Sequence, residues 1–293
     1  MMNMERANVV AEIVANKTGL EATATEVRKG DFKQVGIMIS EAGATIRPTI
    51  YTDTMIELTD EEIADKVIEI YQNSLGNKLE WDANEYLDYD KVKQGLRLCI
   101  RPQTENDDDV KIPYLDLELF VKYDLNLGLE HNGTITVKKD HLDKWGITPS
   151  KLISDARESM KDKWAGDDMQ NVIMSMMFGG SATMKSISEL IPEVKNDVDD
   201  VMPPMYVIGT FDKMWGASLL YEREIFAEIA KRFDDDVAII PSSIHELIVT
   251  AKNRFNGDLA AMIQEVNANE VSPEERLADH PYFYDRELGQ ITY

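Results

Sequence analysis

Residues 205–250, MYVIGTFDKMWGASLLYEREIFAEIAKRFDDDVAIIPSSIHELIVT, decide the fold. Short apolar runs bounded by Gly, Pro, Ser and Asp are typical of strands, and this stretch contains them at 205–210, 217–221, 237–240 and 244–250. Between the second and third runs, residues 222–233 place Ile225, Phe226 and Ile229 at helical spacing. Strand pairs with single helices between them favour an antiparallel sheet over a doubly wound parallel one.

The same alternation continues on both sides of this stretch. After it we predict a helix at 258–266 and a closing hairpin of 282–284 with 290–293. Near the start of the chain we predict a helix and two strands joined by a Gly30-Asp31 turn, at 4–16, 23–29 and 34–40. The predicted fold class is therefore α+β, with antiparallel sheets built from β-β-α units and helices packed on one face.

The length of the chain bounds its domain organisation. Its 293 residues suit one large domain or two of ordinary size. We predict an N-terminal α+β region, 1–125, and a C-terminal α+β region, 126–293. One continuous domain is the alternative.

The charge of the chain restricts its partners. Asp and Glu number 54 against 31 Lys and Arg, which gives a formal net charge of −23. Binding to nucleic-acid phosphates needs a surplus of Lys and Arg, so we expect no direct nucleic-acid binding. An anionic membrane surface is excluded for the same reason. A strongly negative protein is steered to basic surfaces of other proteins, whereas the competing explanation is that the charge only serves solubility.

Cysteine content and hydropathy predict the compartment. Cys99 is the single cysteine, so no internal disulfide can form and no oxidising compartment is needed. The longest largely apolar stretch, VIMSMMF at 172–178, is too short to span a bilayer. The first residues lack the apolar core of a signal peptide. We predict a soluble cytoplasmic protein.

One group of residues has the composition of a hydrolase site. Ser243 lies two positions before His245, and Asp279 follows downstream. A hydroxyl, an imidazole and a carboxylate are the groups used in acyl transfer. However, no G-x-S-x-G motif surrounds the serine, and two residues that share a strand face are not thereby hydrogen-bonded. A hydrolase with a Ser/His pair near 242–245 is therefore our alternative function.

Metal and cofactor motifs are missing from the sequence. The acidic run Asp234, Asp235 and Asp236 lacks the alternating ligands and the glycine of a calcium loop. The four histidines and one cysteine have no zinc-site spacing, and no glycine-rich phosphate loop is present. We predict no metal and no cofactor, and keep the three aspartates as candidate binding residues for a basic partner.

The segment 165–202 is rich in methionine and is predicted to be irregular. Met174, Met176 and Met177 form either an adaptable partner surface of the kind that methionine provides or a loosely specified core. Together with the absence of a complete catalytic motif, they favour a non-catalytic protein that binds another protein. These three methionines are our second set of candidate binding residues.

Several motifs occur together in this chain, namely PTIY at 48–51, HLDKWGIT at 141–148, IPSSIHE at 240–246 and VNANEVSPEE at 266–275. In combination they resemble a family of bacterial and mobile-element proteins described as a domain of unknown function. The resemblance extends over nearly the whole chain and is weakest over 75–113 and 163–200. It implies no particular activity. For a mobile-element protein of this charge, our specific hypothesis is an inhibitor or decoy of a nucleic-acid-handling enzyme, and the alternative is that the acidity only serves solubility.

Overall fold

The computed structural model describes residues 2–29, 32–41, 47–75, 84–105, 108–125, 133–180, 183–194, 204–255 and 257–293. The chain divides into two compact units, one of residues 1–89 with 125–134 and one of residues 90–124 with 135–293. Residues 90–124 thus belong to the larger unit, whereas the sequence alone places them in an N-terminal region ending at 125.

The N-terminal unit is a three-stranded antiparallel sheet covered by two helices. Its elements are α1 (Met4–Thr18), β1 (Glu21–Lys29), β2 (Phe32–Ser40), β3 (Thr49–Tyr51) and α2 (Asp60–Leu75). Val35, Ile37 and Ile39 alternate along β2 and are buried in one core with apolar residues of both helices. The helices therefore lie on one face, as predicted. The Gly30-Asp31 turn lies outside the described residues.

The middle of the chain forms a second antiparallel sheet. Its elements are α3 (Tyr89–Val92), β4 (Leu96–Pro102), β5 (Lys111–Tyr114), β6 (Leu117–Leu125), β7 (Gly133–Thr136), α4 (Lys139–Trp145) and α5 (Pro149–Met160). Strands β4, β6 and β5 are neighbours in that order. Helix α5 begins with Pro149 after the N-cap Thr148 and packs against β4.

The rest of the chain contributes the largest sheet. Its elements are β8 (Trp164–Asp168), α6 (Met169–Met177), β9 (Lys185–Ser186), α7 (Ile187–Leu190), β10 (Met205–Thr210), α8 (Arg223–Phe233), β11 (Val237–Pro241), β12 (Leu247–Ala251), α9 (Leu259–Asn269), β13 (Tyr282–Asp285) and β14 (Gln290–Thr292). The strand order is β14-β13-β11-β12-β10-β8-β9, with antiparallel neighbours. The α+β class with antiparallel sheets is confirmed.

Helices α8 and α9 pack on opposite faces of this sheet. Ala238 and Ile240 of β11 share a core with Leu259 of α9. The ring of Phe226 on α8 stacks on Tyr284, which pairs with Val237. Because successive strand residues point to opposite faces, Val237 and Ala238 belong to different sides. We expected the helices to pack on one face. This holds for the N-terminal sheet but not for the largest sheet, which has helices on both faces.

Two local predictions were wrong, and the strand predicted at 244–250 begins only at Leu247. Residues 217–221 are not a strand, because Gly216–Tyr221 forms a 3₁₀ helix whose first five residues are buried. A short buried apolar run has no periodicity that separates a strand from a helical turn. The segment 165–202 is not irregular in its described part, since it contains β8, α6, β9 and α7.

Candidate functional site

The best candidate for a binding site is the C-terminal half of α6. Ile173, Met174, Met176, Met177 and Phe178, which we call the methionine surface, are 48%, 56%, 72%, 76% and 81% exposed. Single exposed apolar residues are ordinary on protein surfaces. A run of large ones within six positions is an exposed patch of the kind that marks interaction sites. The three predicted methionines are thus on the surface and not in the core.

Helix α6 is firmly defined by its own sequence. At its start, the side chain of Asp168 accepts a hydrogen bond from the Gln170 N–H at 2.7 Å. After its end, Gly179 has φ of +70°, and the Gly180 N–H donates to the Ser175 carbonyl at 2.7 Å. The side chain of Val172, within α6, is buried and anchors the helix to the fold. The methionine surface is therefore presented by a capped and anchored helix.

The predicted Ser/His pair does not form. Nδ1 of His245 accepts a hydrogen bond from the Trp215 backbone N–H at 3.0 Å, and its Nε2 lies 3.7 Å from Glu275 Oε1. The Ser243 hydroxyl accepts the backbone N–H of His245 at 3.0 Å. The Ser243 hydroxyl thus bonds to the backbone two residues later in a local turn, and not to the imidazole.

The other members of the predicted hydrolase group lie in separate interactions. Ser242 donates to Glu246 Oε1 at 3.2 Å. Asp279 accepts a hydrogen bond from the Asn267 side chain at 2.8 Å. The structure thus brings none of these groups into the nucleophile–base–acid chain that acyl transfer requires.

We expect His245 instead to make the folding stability depend on pH. Burial lowers the pKa of its imidazole, and the charges of Glu275 and Glu246 oppose that effect only in part. The bond from Trp215 also needs a lone pair on Nδ1, which protonation of that nitrogen would remove. Since the folded pKa lies below the unfolded value of about 6.5, folding stability is greatest above that pH and falls as the pH decreases below it.

We expect His245→Asn to flatten this dependence, because the Asn oxygen can accept the same N–H without titrating. Urea unfolding at pH 7.5 and pH 5.5 measures the effect. His245→Ala is the comparison variant, and we expect it to lose about 1 kcal/mol at pH 7.5 because the Trp215 N–H is left without its acceptor. An unchanged pH dependence in His245→Asn would show that another group carries it.

The acidic run after α8 is engaged within the fold. Asp234 pairs with Arg286 at 2.7 Å, and Asp235 accepts two hydrogen bonds from Asn253. Asp236 accepts the Arg286 backbone N–H at 3.1 Å and contacts Lys252 at 3.3 Å. These carboxylates hold a turn together and are already partly neutralised by Lys252 and Arg286. They form a weaker candidate for a basic partner than the sequence suggested.

Sequence reasoning missed a charged cluster around Arg97. This side chain is only 6% exposed and donates hydrogen bonds to Asp124, to Asp212 and, at 2.8 Å, to the Met214 carbonyl. Burial alone would lower the pKa of the guanidinium, but the two carboxylates outweigh it and raise the pKa. The cluster fixes the loop 211–215, in which Lys213 and Trp215 have φ of +56° and +58°. Lys163 lies 3.9 Å from Asp124 and adds a second positive charge, so the charges of the cluster are paired within the fold and we assign it a structural role.

A second polar cluster forms around Asp116, which follows Leu115 at φ of +56°. The carboxylate accepts the Tyr282 hydroxyl at 2.8 Å and lies 2.9 Å from His280 Nε2. The other ring nitrogen of His280 lies 3.1 Å from the Pro281 carbonyl. Both ring nitrogens of His280 thus face acceptor oxygens, and the cluster joins Asp116 to residues 280–282.

A further cleft of about 440 Å³ lies beside α5 and the start of α8. It is lined by Ser154, Arg157, Glu158, Lys161, Glu222 and Glu224. The guanidinium of Arg157 binds both Glu222 and Glu224, so the charges of the cleft are largely paired.

Among the described residues, no group of three or more His, Cys, Asp or Glu side chains is arranged to hold a metal ion. No helix in the described part of the chain has the length and apolarity needed to cross a membrane.

Comparison with known proteins gives the family. No curated protein and no solved structure matches the chain. A family model does match, and it covers residues 6–286. This range covers most of both units and the whole methionine surface. The chain belongs to DUF5688, a family of unknown function.

Proposed function

We propose that the protein acts by binding another protein through the methionine surface, without catalytic activity of its own. The observation that carries the proposal is the exposure of Met176, Met177 and Phe178, each more than 70% accessible on a well-capped helix. Methionine and aromatic residues are enriched in interface cores, and the flexible thioether side chain adapts to partners of different shape.

The proposed partner has a basic surface and the proposed compartment is the cytoplasm. The net charge of −23 attracts cationic surfaces over distances of about a Debye length. Cys99 is a free, buried thiol, and burial raises its pKa to about 12, which keeps it protonated and unreactive. A reducing compartment suits such a chain. Inhibition or decoy binding of a nucleic-acid-handling enzyme is the specific form of this proposal, because such enzymes carry basic clefts.

Replacing Met176 and Met177 together with Ser tests the proposal. The double variant keeps the net charge, and we expect it to weaken partner binding by about 30-fold or more, as loss of a central hot spot does. The side chains are largely exposed, so the free energy of unfolding should change by less than about 1 kcal/mol. Quantitative mass spectrometry of proteins retained from a lysate of the encoding cell measures partner binding.

Leu288→Ser is the matched control. Leu288 is 67% exposed and lies between β13 and β14, outside the methionine surface. It should retain the same proteins as the wild type, at both low and high salt. A protein retained equally by the wild type and by the double methionine variant would not be a partner of this surface. If every retained protein behaves so, the proposal is wrong.

A further inference from the structure

The methionine surface combines two properties that restrict what can bind there. It is strongly apolar, and α6 contains no Asp, Glu, Lys or Arg in its nine residues, MQNVIMSMM. It also belongs to a chain whose net charge is −23. The helix is about 13 Å long, so it can contact two to three turns of a partner helix.

The charge disfavours two possible occupants. A second copy of the chain would bring two charges of −23 together, and their repulsion opposes the association that an apolar patch of this size would give. An anionic membrane surface is repelled in the same way. An occupant with an apolar stripe and a surplus of Lys and Arg meets both requirements, because its stripe covers the methionines while its positive charge is opposite to the negative charge of the chain.

We infer that the methionine surface binds a cationic amphipathic α-helix of the partner, an inference that rests on the proposed function. Such a helix presents apolar residues at i, i+3, i+4 and i+7, which pack against the methionine surface, including Met176 and Met177, with basic residues on its flanks. The unbranched methionine side chains adjust to different apolar residues, so this mode selects charge and amphipathicity more than a single sequence. Because the contact is short, we expect a weak, transient complex.

Fluorescence anisotropy with designed peptides tests the inference. The probe is a labelled Leu/Lys peptide of about 18 residues with its leucines on one helical face. Its controls are the same peptide with Glu for Lys, and a scrambled peptide of the same composition. We expect the Leu/Lys peptide to bind at least about tenfold more tightly than either control, and more weakly at high salt.

The variants decide where the peptide binds. Met176→Ser with Met177→Ser should weaken binding of the Leu/Lys peptide by about tenfold or more, whereas Leu288→Ser should not. Equal binding by the wild type and the double variant would overturn the inference, as would equal binding of the Glu peptide. So would a dimer in sedimentation velocity that dissociates in the double variant. If the double variant loses its cellular partner but no peptide binds, the inference fails while the proposed function stands.

Discussion

Replacing Arg97 with Met is expected to lower the free energy of unfolding by about 3 kcal/mol. The guanidinium is almost fully buried and is the shared partner of Asp124 and Asp212. Its removal leaves two carboxylates beside a side chain that cannot pair with them, and the Met214 carbonyl keeps only its other donor, the Thr210 hydroxyl at 3.1 Å. Most of the loss thus comes from groups left without partners rather than from the ion pairs themselves. Urea unfolding followed by circular dichroism at pH 7 gives the value.

Acid should reduce the difference between Arg97→Met and the wild type. Burial alone would raise the pKa of Asp212, but its hydrogen bonds and charge interaction with Arg97 hold the pKa below its usual range. Stability from this carboxylate is therefore present above about pH 4 and is lost as the pH falls through the lower folded value. Arg286→Met is the control, because its ion pair with Asp234 is exposed to solvent. Loss of stability in the control equal to that in Arg97→Met would contradict this explanation.

Replacing Gly216 with Ala should destabilise the protein by a similar amount, about 3 kcal/mol. A Cβ at this position would lie 2.5 Å from the His245 carbonyl oxygen and 2.6 Å from the Gly209 Cα. Both are backbone atoms, and Gly209 is part of β10, so its Cα cannot move without disturbing the sheet. Thermal or urea unfolding of the variant measures the effect.

Gly146→Ala separates steric overlap from backbone strain. Gly146 has φ of +66°, but its Cβ would meet no atom within 4 Å. We expect a loss of about 1 kcal/mol there, from the left-handed conformation alone. If Gly146→Ala and Gly216→Ala lose the same free energy of unfolding, steric overlap is not the cause of the loss at Gly216.

The spacing of apolar residues predicted the helices and strands that pack in a regular pattern. It gave the wrong secondary structure where one close contact determines the backbone conformation. β10, α8 and β11 follow directly from spacing, and they lie close to their predicted bounds. Residues 217–221 form a helical turn instead of a strand, because Gly216 packs directly against β10 and Trp215 adopts a left-handed conformation. Neither cause can be read from an apolar run.

The candidate site could be predicted only in part, because its decisive contacts are distant in sequence. The serines beside His245 suggested a catalytic pair, but the imidazole is bound by Trp215, 30 residues earlier. Arg97 finds its carboxylates 27 and 115 residues away. The methionines stand out in the sequence, yet the same residues suit a core or a surface. The accessible fractions of these side chains in the structure show that they lie on the surface.

Methionine oxidation tests the central claim most directly, since peroxide converts accessible thioethers to sulfoxides. The tagged chain is treated briefly with peroxide, once purified and once in a concentrated lysate of the encoding cell, and oxidation at each methionine is counted by mass spectrometry. Met4 and Met214, which are also exposed, serve as internal references. We predict that Met174, Met176 and Met177 are protected in the lysate relative to these references. Equal relative oxidation in the two samples would contradict a partner bound at the methionine surface.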